Sequence, residues 1–125
     1  MRFTRHYTRE EARALLPQVR QWLDRLWHLR QQQEKLEERL GGLLSPGSDL
    51  GGSTVNEWVR TLTELQSIVR EFFQREIQVK DLDRGLVDFP AIVDGKEVFL
   101  CWEKGEEDID FWHDLDGGYA GREPL

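Results

Sequence analysis

Apolar residues in the first third of the chain recur with helical spacing. Ala12, Leu15, Val19, Trp22, Leu26, Leu29, Leu36 and Leu40 follow in steps of three and four, interrupted only by Gln33, which puts them on one stripe of an amphipathic helix. Thr8 with Glu11 three residues on is a capping-box pattern, so the helix is expected to start at about Arg9. Pro17 lacks an N–H and predicts a bend near Leu16 rather than a break. Gly41-Gly42 predicts the helix end, and Pro46-Gly47 and Gly51-Gly52 predict a flexible loop over 41–53. Thr54 and Glu57 repeat the capping box, and Val55, Trp58, Leu62, Leu65, Val69 and Phe72 predict a second helix to about Arg75. Neither helix buries its stripe alone, so the two are expected to pack as an antiparallel hairpin. The stripe is wider than a two-helix hairpin needs. Leu16, Trp22, Leu23, Leu26, Trp27 and Leu65 are therefore the candidate face for the tail or a second copy, as in a homodimeric four-helix bundle.

The period changes to two after Gly85. Phe89, Ala91 and Val93 alternate with Asp88, Pro90 and Ile92, and Asp94-Gly95 precedes the apolar run Val98–Trp102, which predicts a β-hairpin over 87–102 closed by a two-residue turn. Pro90 cannot donate to a ladder and predicts an open edge beside it. Ile109–His113 reads as a third extended segment, and 117–121 as a tight loop. The expected architecture is α+β and a single domain over 1–125. A long antiparallel helical hairpin (8–77) precedes a small antiparallel β-meander (78–125).

Composition narrows the function classes. The chain has 125 residues with 38% hydrophobic and 33% charged, enough for one modest core. Its longest apolar run, Val98–Trp102, is far short of the ~20 residues of a membrane helix. With no leader after Met1 and a single cysteine, Cys101, the expected compartment is a reducing cytoplasm. The net charge of −7 is uneven. Residues 1–40 carry nine Lys/Arg against six Asp/Glu, and residues 78–125 five against thirteen. A nucleic-acid binder concentrates basic charge, and only Arg13, Arg20, Arg30 and Arg39 of the first helix offer it here, so a solvated helix face is the preferred explanation.

The densest polar group lies between Cys101 and Asp116, with Glu103, Glu106, Glu107, Asp108, Asp110, His113 and Asp114 between them. Cysteine, histidine and carboxylate together suit one divalent transition metal. The eleven residues separating Cys101 from His113 match no compact Cys/His motif, and the alternative is a buried thiol and a hydrogen-bonded imidazole. Asp114 and Asp116 begin a calcium-loop pattern that fails at Leu125, where the closing glutamate belongs. The glycines at 117, 118 and 121 miss a phosphate-cradle spacing. Cys101 has glutamates as its nearest charged neighbours in sequence, which opposes a nucleophilic thiolate. His113 alone does not make an acid/base pair, and Trp102, Phe111, Trp112 and Tyr119 read as core rather than base-stacking residues in so acidic a tail.

The block Lys80-Asp81-Leu82, Gly85–Pro90, Val98–Trp102, Gly105-Glu106, Ile109, Phe111-Trp112-His113 and Gly117–Arg122, with Phe3, Glu11-Ala12 and Leu15-Leu16-Pro17, resembles the bacterial and archaeal family called domain of unknown function 2203. The resemblance covers nearly the whole chain and implies a small prokaryotic cytoplasmic protein, with no activity, cofactor or partner to transfer. A polar, glycine-containing motif exceeds what a core requires, so Asp88, Cys101, Glu106, His113 and Arg122 are the candidate cluster. Arg122 suits a carboxylate or phosphate, or a pairing with an acid of the tail. The leading expectation is a non-enzymatic oligomerisation or protein-interaction module, a homodimer without cofactor. The alternative is a metal-binding protein or metal-dependent enzyme using Cys101, His113 and Glu106, and the last is a nucleic-acid-associated protein.

Overall fold

The computed structural model describes residues 1–43 and 52–125. Helix α1 (Arg9–Leu43) and helix α2 (Gly52–Gln74) precede five strands: β1 (Gln78–Asp81), β2 (Leu86–Val93), β3 (Lys96–Glu103), β4 (Phe111–Asp114) and β5 (Glu123–Pro124). The strands form one antiparallel meander in sequence order. The architecture is α+β, as the pattern predicts.

The capping box at Thr8 forms reciprocally. The Glu11 N–H donates to Thr8 Oγ1 at 3.1 Å, and the Thr8 N–H donates to Glu11 Oε1 at 3.0 Å, satisfying two donors that a helix start otherwise leaves orphaned. From there α1 runs unbroken through Pro17. It also continues through Gly41 and Gly42 to Leu43, because glycine permits a helix stop without enforcing one and costs only about 1 kcal/mol per position inside a helix. Of the expected loop, 41–43 and 52–53 are helical, and the rest lies outside the described residues. Because α2 starts at Gly52, Thr54 stands inside the first turn and the second capping box does not form.

The helices are antiparallel: Gln32 Nε2 donates to Glu57 Oε1 at 3.1 Å, Arg25 Nη2 to Glu64 Oε1 at 2.8 Å, and the Trp22 and Phe72 rings meet at 5.3 Å. The extra width of α1 is taken up inside the chain. Leu16, Val19, Leu23 and Leu26 are buried with Val87, Phe89, Val98, Leu100 and Trp102 of the sheet. Of the two contacts expected for this face, Leu16, Leu23 and Leu26 make the one with the tail, covered by the chain's own sheet, since a two-stranded hairpin is marginal until one face is packed. Trp22 packs on Phe72, Leu65 is half-buried, and Trp27 is 39% exposed.

Two strands were hidden by the sequence. β1 follows α2 so closely that Val79 continues the helical spacing. The break comes from a Schellman motif: Ile77 N–H donates to Phe72 O at 3.1 Å, Glu76 N–H to Phe73 O at 3.0 Å, and Glu76 takes φ 57°. Glycine usually fills that left-handed position. Here the Glu76 side chain is needed, because its carboxylate accepts from the Thr4 N–H at 3.0 Å and the Arg5 N–H at 3.3 Å. Asp94 (φ 50°) and Gly95 (φ 76°) form the expected hairpin turn between β2 and β3. Pro90 lies beyond the end of β1, and its carbonyl there accepts from the Tyr7 N–H at 2.7 Å.

The charge asymmetry is internal. Arg13 forms two bonds to Asp108, at 2.7 and 2.8 Å, Arg9 bonds Asp110 at 2.8 Å, and Arg30 pairs with Asp83. Arg20 lies over the Trp102 ring at 5.4 Å. The basic helix is thus laid against the acidic tail. Among the described residues no helix is long and apolar enough to cross a membrane.

Candidate functional site

The two-residue turn places Asp88 directly opposite Cys101, and the β3–β4 register places Phe99 opposite His113. Side chains alternate along a strand, so Val87, Phe89, Leu100 and Trp102 face the helices while Asp88, Phe99, Cys101 and His113 share the other face. On that face Asp88 and His113 are each 2% exposed and Cys101 1%. Strands β2 and β4 are roughly 9–10 Å apart across β3, and Cys101 on β3 is small enough for Asp88 and His113 to lean over it and meet. Their Oδ2 and Nε2 atoms are 3.0 Å apart.

The protonation pattern follows from the partners. His113 Nδ1 lies 2.7 Å from the Asp114 carbonyl oxygen, which can only accept, so Nδ1 carries a hydrogen. Nε2 then faces Asp88 Oδ2 with one proton shared between them. The other carboxylate oxygen, Asp88 Oδ1, is buried without a hydrogen-bond partner. Burial pushes the Asp88 carboxyl above the usual carboxylate range, against the pull of His113, a hydrogen bond with the Cys101 thiol and the charge of Lys80. Burial and the Asp88 charge push the Cys101 thiol up to about 12. A thiol held protonated so far above neutral pH is no nucleophile.

Apolar and aromatic groups surround the three. Phe99 lies 5.6 Å from the His113 ring and 5.3 Å from Phe3 of the N-terminal arm. Arg122 stacks on Phe111 at 3.9 Å and Tyr119 at 4.6 Å. Its Nη2 donates to Glu106 Oε2 at 2.5 Å, while Glu106 Oε1 accepts from the Glu103 N–H at 2.6 Å. Glu106 therefore ties the 103–106 turn to the tail. Of the five candidate residues, Asp88, Cys101 and His113 converge, whereas Glu106 and Arg122 pair with each other alongside.

A second surface lies on α2. The apolar positions read along that helix as one stripe divide into two. Trp58, Thr61, Leu65, Ile68 and Phe72 turn inward, buried or half-buried. Val55, Val59, Leu62, Gln66, Val69 and Phe73 form a separate outer series, in which Val59 and Val69 are each 48% and Phe73 80% exposed. Both series step by three and four, so the signal was present in the sequence, but nothing there says which one faces α1. At the C-terminal end of the outer stripe an apolar groove of about 370 Å³ opens between Leu26, Leu65, Val69, Phe73 and Leu82.

The family model described as "Uncharacterized conserved protein (DUF2203)" matches residues 5–125. No match was found among curated proteins or among solved structures.

Proposed function

The chain belongs to the DUF2203 family, and we propose that it acts as a self-associating interaction module, two copies joining through α2 in a four-helix bundle. The outer stripe of α2 is the observation that carries this reading. A helix that buries one seam against α1 has no need, as a monomer, of a second apolar seam from Val55 to Phe73, and such surface on a small protein marks contact.

A second copy of the chain is the partner the stripe fits. Its spacing of four, three, four, three, four is the same in both directions. In an antiparallel pair Val55 meets Phe73, Val59 meets Val69, and Leu62 meets Gln66, each contact occurring twice, as an isologous two-fold interface requires. Asn56, Thr63 and Ser67 beside the stripe are uncharged, while Arg70 lines it with Leu62, Gln66, Val69 and Phe73 and is the charge that the interface has to accommodate. The groove beside Phe73 supplies a recess for the Val55–Val59 end of the other copy.

Sedimentation velocity of the full chain tests this. The wild type is expected as a pair of 14.8 kDa chains at micromolar concentration. Val69→Glu and Phe73→Glu are exposed in a single chain, so both are expected to keep the wild-type circular dichroism while weakening association at least a hundredfold, because each buries two unpaired carboxylates. A wild type that sediments as a monomer at high micromolar concentration refutes the proposal.

A further inference from the structure

We infer that Asp88, Cys101 and His113 form a buried three-ligand site for one divalent transition metal of the zinc class, independent of self-association through α2. The carboxylate oxygen, thiol sulfur and imidazole nitrogen lie within 4.8 Å of one another. In a tetrahedral zinc site with bonds of roughly 2.0–2.3 Å, ligand atoms stand about 3.3–3.7 Å apart. The present 3.0 Å between Nε2 and Oδ2 needs only a few tenths of an ångström of widening.

Two independent observations point from the cluster to a ligand. The first is Asp88 Oδ1, an acceptor on a side chain 2% exposed that receives no nitrogen or oxygen donor, the Cys101 thiol being the carboxylate's partner besides His113. Buried acceptors are nearly always paired, and Asp88 stands directly opposite Cys101 on the neighbouring strand. The second is the Nδ1 hydrogen bond to the Asp114 carbonyl at 2.7 Å. It fixes the ring so that the Nε2 lone pair points into the cluster, the outer contact that ligating histidines characteristically make.

Charge balance selects the ion. With Asp88 and Cys101 ionised and His113 neutral, the ligand set carries −2, which a divalent cation cancels, the neighbouring charges being Lys80 and the paired Arg122 and Glu106. One sulfur, one nitrogen and one oxygen donor favour zinc, cobalt or iron over magnesium or calcium, which take oxygen. Three protein donors leave a fourth position for water or a small anion. Glu106, held by Arg122 and the 103–106 turn, stands outside the set.

Because the ligands are buried, loading is best tested by refolding the full chain from denaturant with excess Co²⁺ or Zn²⁺ and desalting. One metal per chain is expected by native mass spectrometry, with cobalt giving the visible absorption of a tetrahedral site and a near-ultraviolet thiolate charge-transfer band. At a hundredfold excess over Kd, zinc is expected to raise Tm by roughly 10 °C. Asp88→Asn, Cys101→Ser and His113→Gln are each expected to lose the metal and the Tm response while keeping wild-type circular dichroism at low temperature. Cys101→Ser is the least disruptive and decides the matter if another variant fails to fold. Glu106→Gln is expected to keep both. Refolded wild type that takes up no stoichiometric metal, or a folded Cys101→Ser that still binds one metal per chain with an unchanged Tm response, overturns the assignment.

Discussion

Replacing His113 with leucine isolates the energetics of the buried polar pair. The substitution keeps an apolar side chain of similar bulk against Phe99, 5.6 Å away in the native protein, and removes the imidazole partner of the Asp88 carboxylate, leaving it only the weakly donating Cys101 thiol. Asp88, 2% exposed, is then a buried acid with no nitrogen donor and only a thiol beside it. Breaking a buried pair by removing one partner costs about 3–5 kcal/mol. A chain of this length has a total stability of about 6–19 kcal/mol, so the loss is a large share of it. An unfolding entropy of about 0.26 kcal/mol/K converts it to a Tm lower by roughly 10–20 °C. The assay is thermal and urea unfolding followed by circular dichroism with chelator present, so that metal plays no part, and the urea m-value should be unchanged. The double variant His113→Leu/Asp88→Val removes both polar groups and suits the strand, so it is expected to recover all but about 1–2 kcal/mol, since a well-packed apolar replacement of a buried pair is often nearly neutral. A single variant that loses less than about 1 kcal/mol refutes this account, as that is within the range of ordinary surface changes. A double variant as unstable as the single one does so equally, by showing that the ring's packing and not its pairing matters.

The N-terminal arm carries a pH dependence. Against the burial that raises it, the His6 ring and the N–H groups of Phe3 and Arg2 hold the Glu97 carboxyl down at about 2 from an ordinary 4.5. The folded value is the lower one, so this contribution is complete above pH 4.5 and is lost as pH falls towards 2. Protection of the Arg2 and Phe3 amides, measured against the exchange of an unstructured chain at the same pH, is expected to fall through that window, and Glu97→Gln to leave them unprotected at every pH; an arm equally protected at pH 2.5 and 6 counts against it. Gly85→Ala is expected to cost about 2–4 kcal/mol. Gly85 sits at φ 65°, and an added Cβ would meet the Lys104 Cβ at 2.5 Å, an atom pinned by the Lys104 N–H bond to Gly85 O at 3.0 Å. A Tm within 2 °C of wild type in the same unfolding assay would show the turn to be more yielding than the contact implies.

How far the site could be read depended on the connections between strands. A two-residue turn at Asp94-Gly95 sets the hairpin register, so once it is identified Asp88 must face Cys101, as it does. His113 belongs to a strand reached through 104–110, which contains no turn of comparable strictness. Its place opposite Phe99, two residues along β3 from Cys101, follows from packing. Glu106 looked as good a ligand as Asp88 by composition and proximity to Cys101, and only the stacking of Arg122 on Phe111 and Tyr119 explains why its carboxylate is turned to the tail.

The sequence by itself determined what is local: the start of α1 at Thr8, where the cap lies within three residues of its partner; the two helical periods; the switch to alternation after Gly85; and the hairpin with its turn. These depend on interactions between near neighbours, which composition and spacing record directly. Tertiary structure decided whatever needed a distant partner. Glu76 ends α2 in a left-handed conformation because Thr4 and Arg5 bind its carboxylate, so β1 begins where no glycine announces it. Leu16, Leu23 and Leu26 face the sheet, which leaves the outer stripe of α2 as the uncovered surface. Asp88 and His113 meet across an intervening strand because sheet order and register bring them there, and neither the spacing of twenty-five residues nor the residue types could have specified that contact alone.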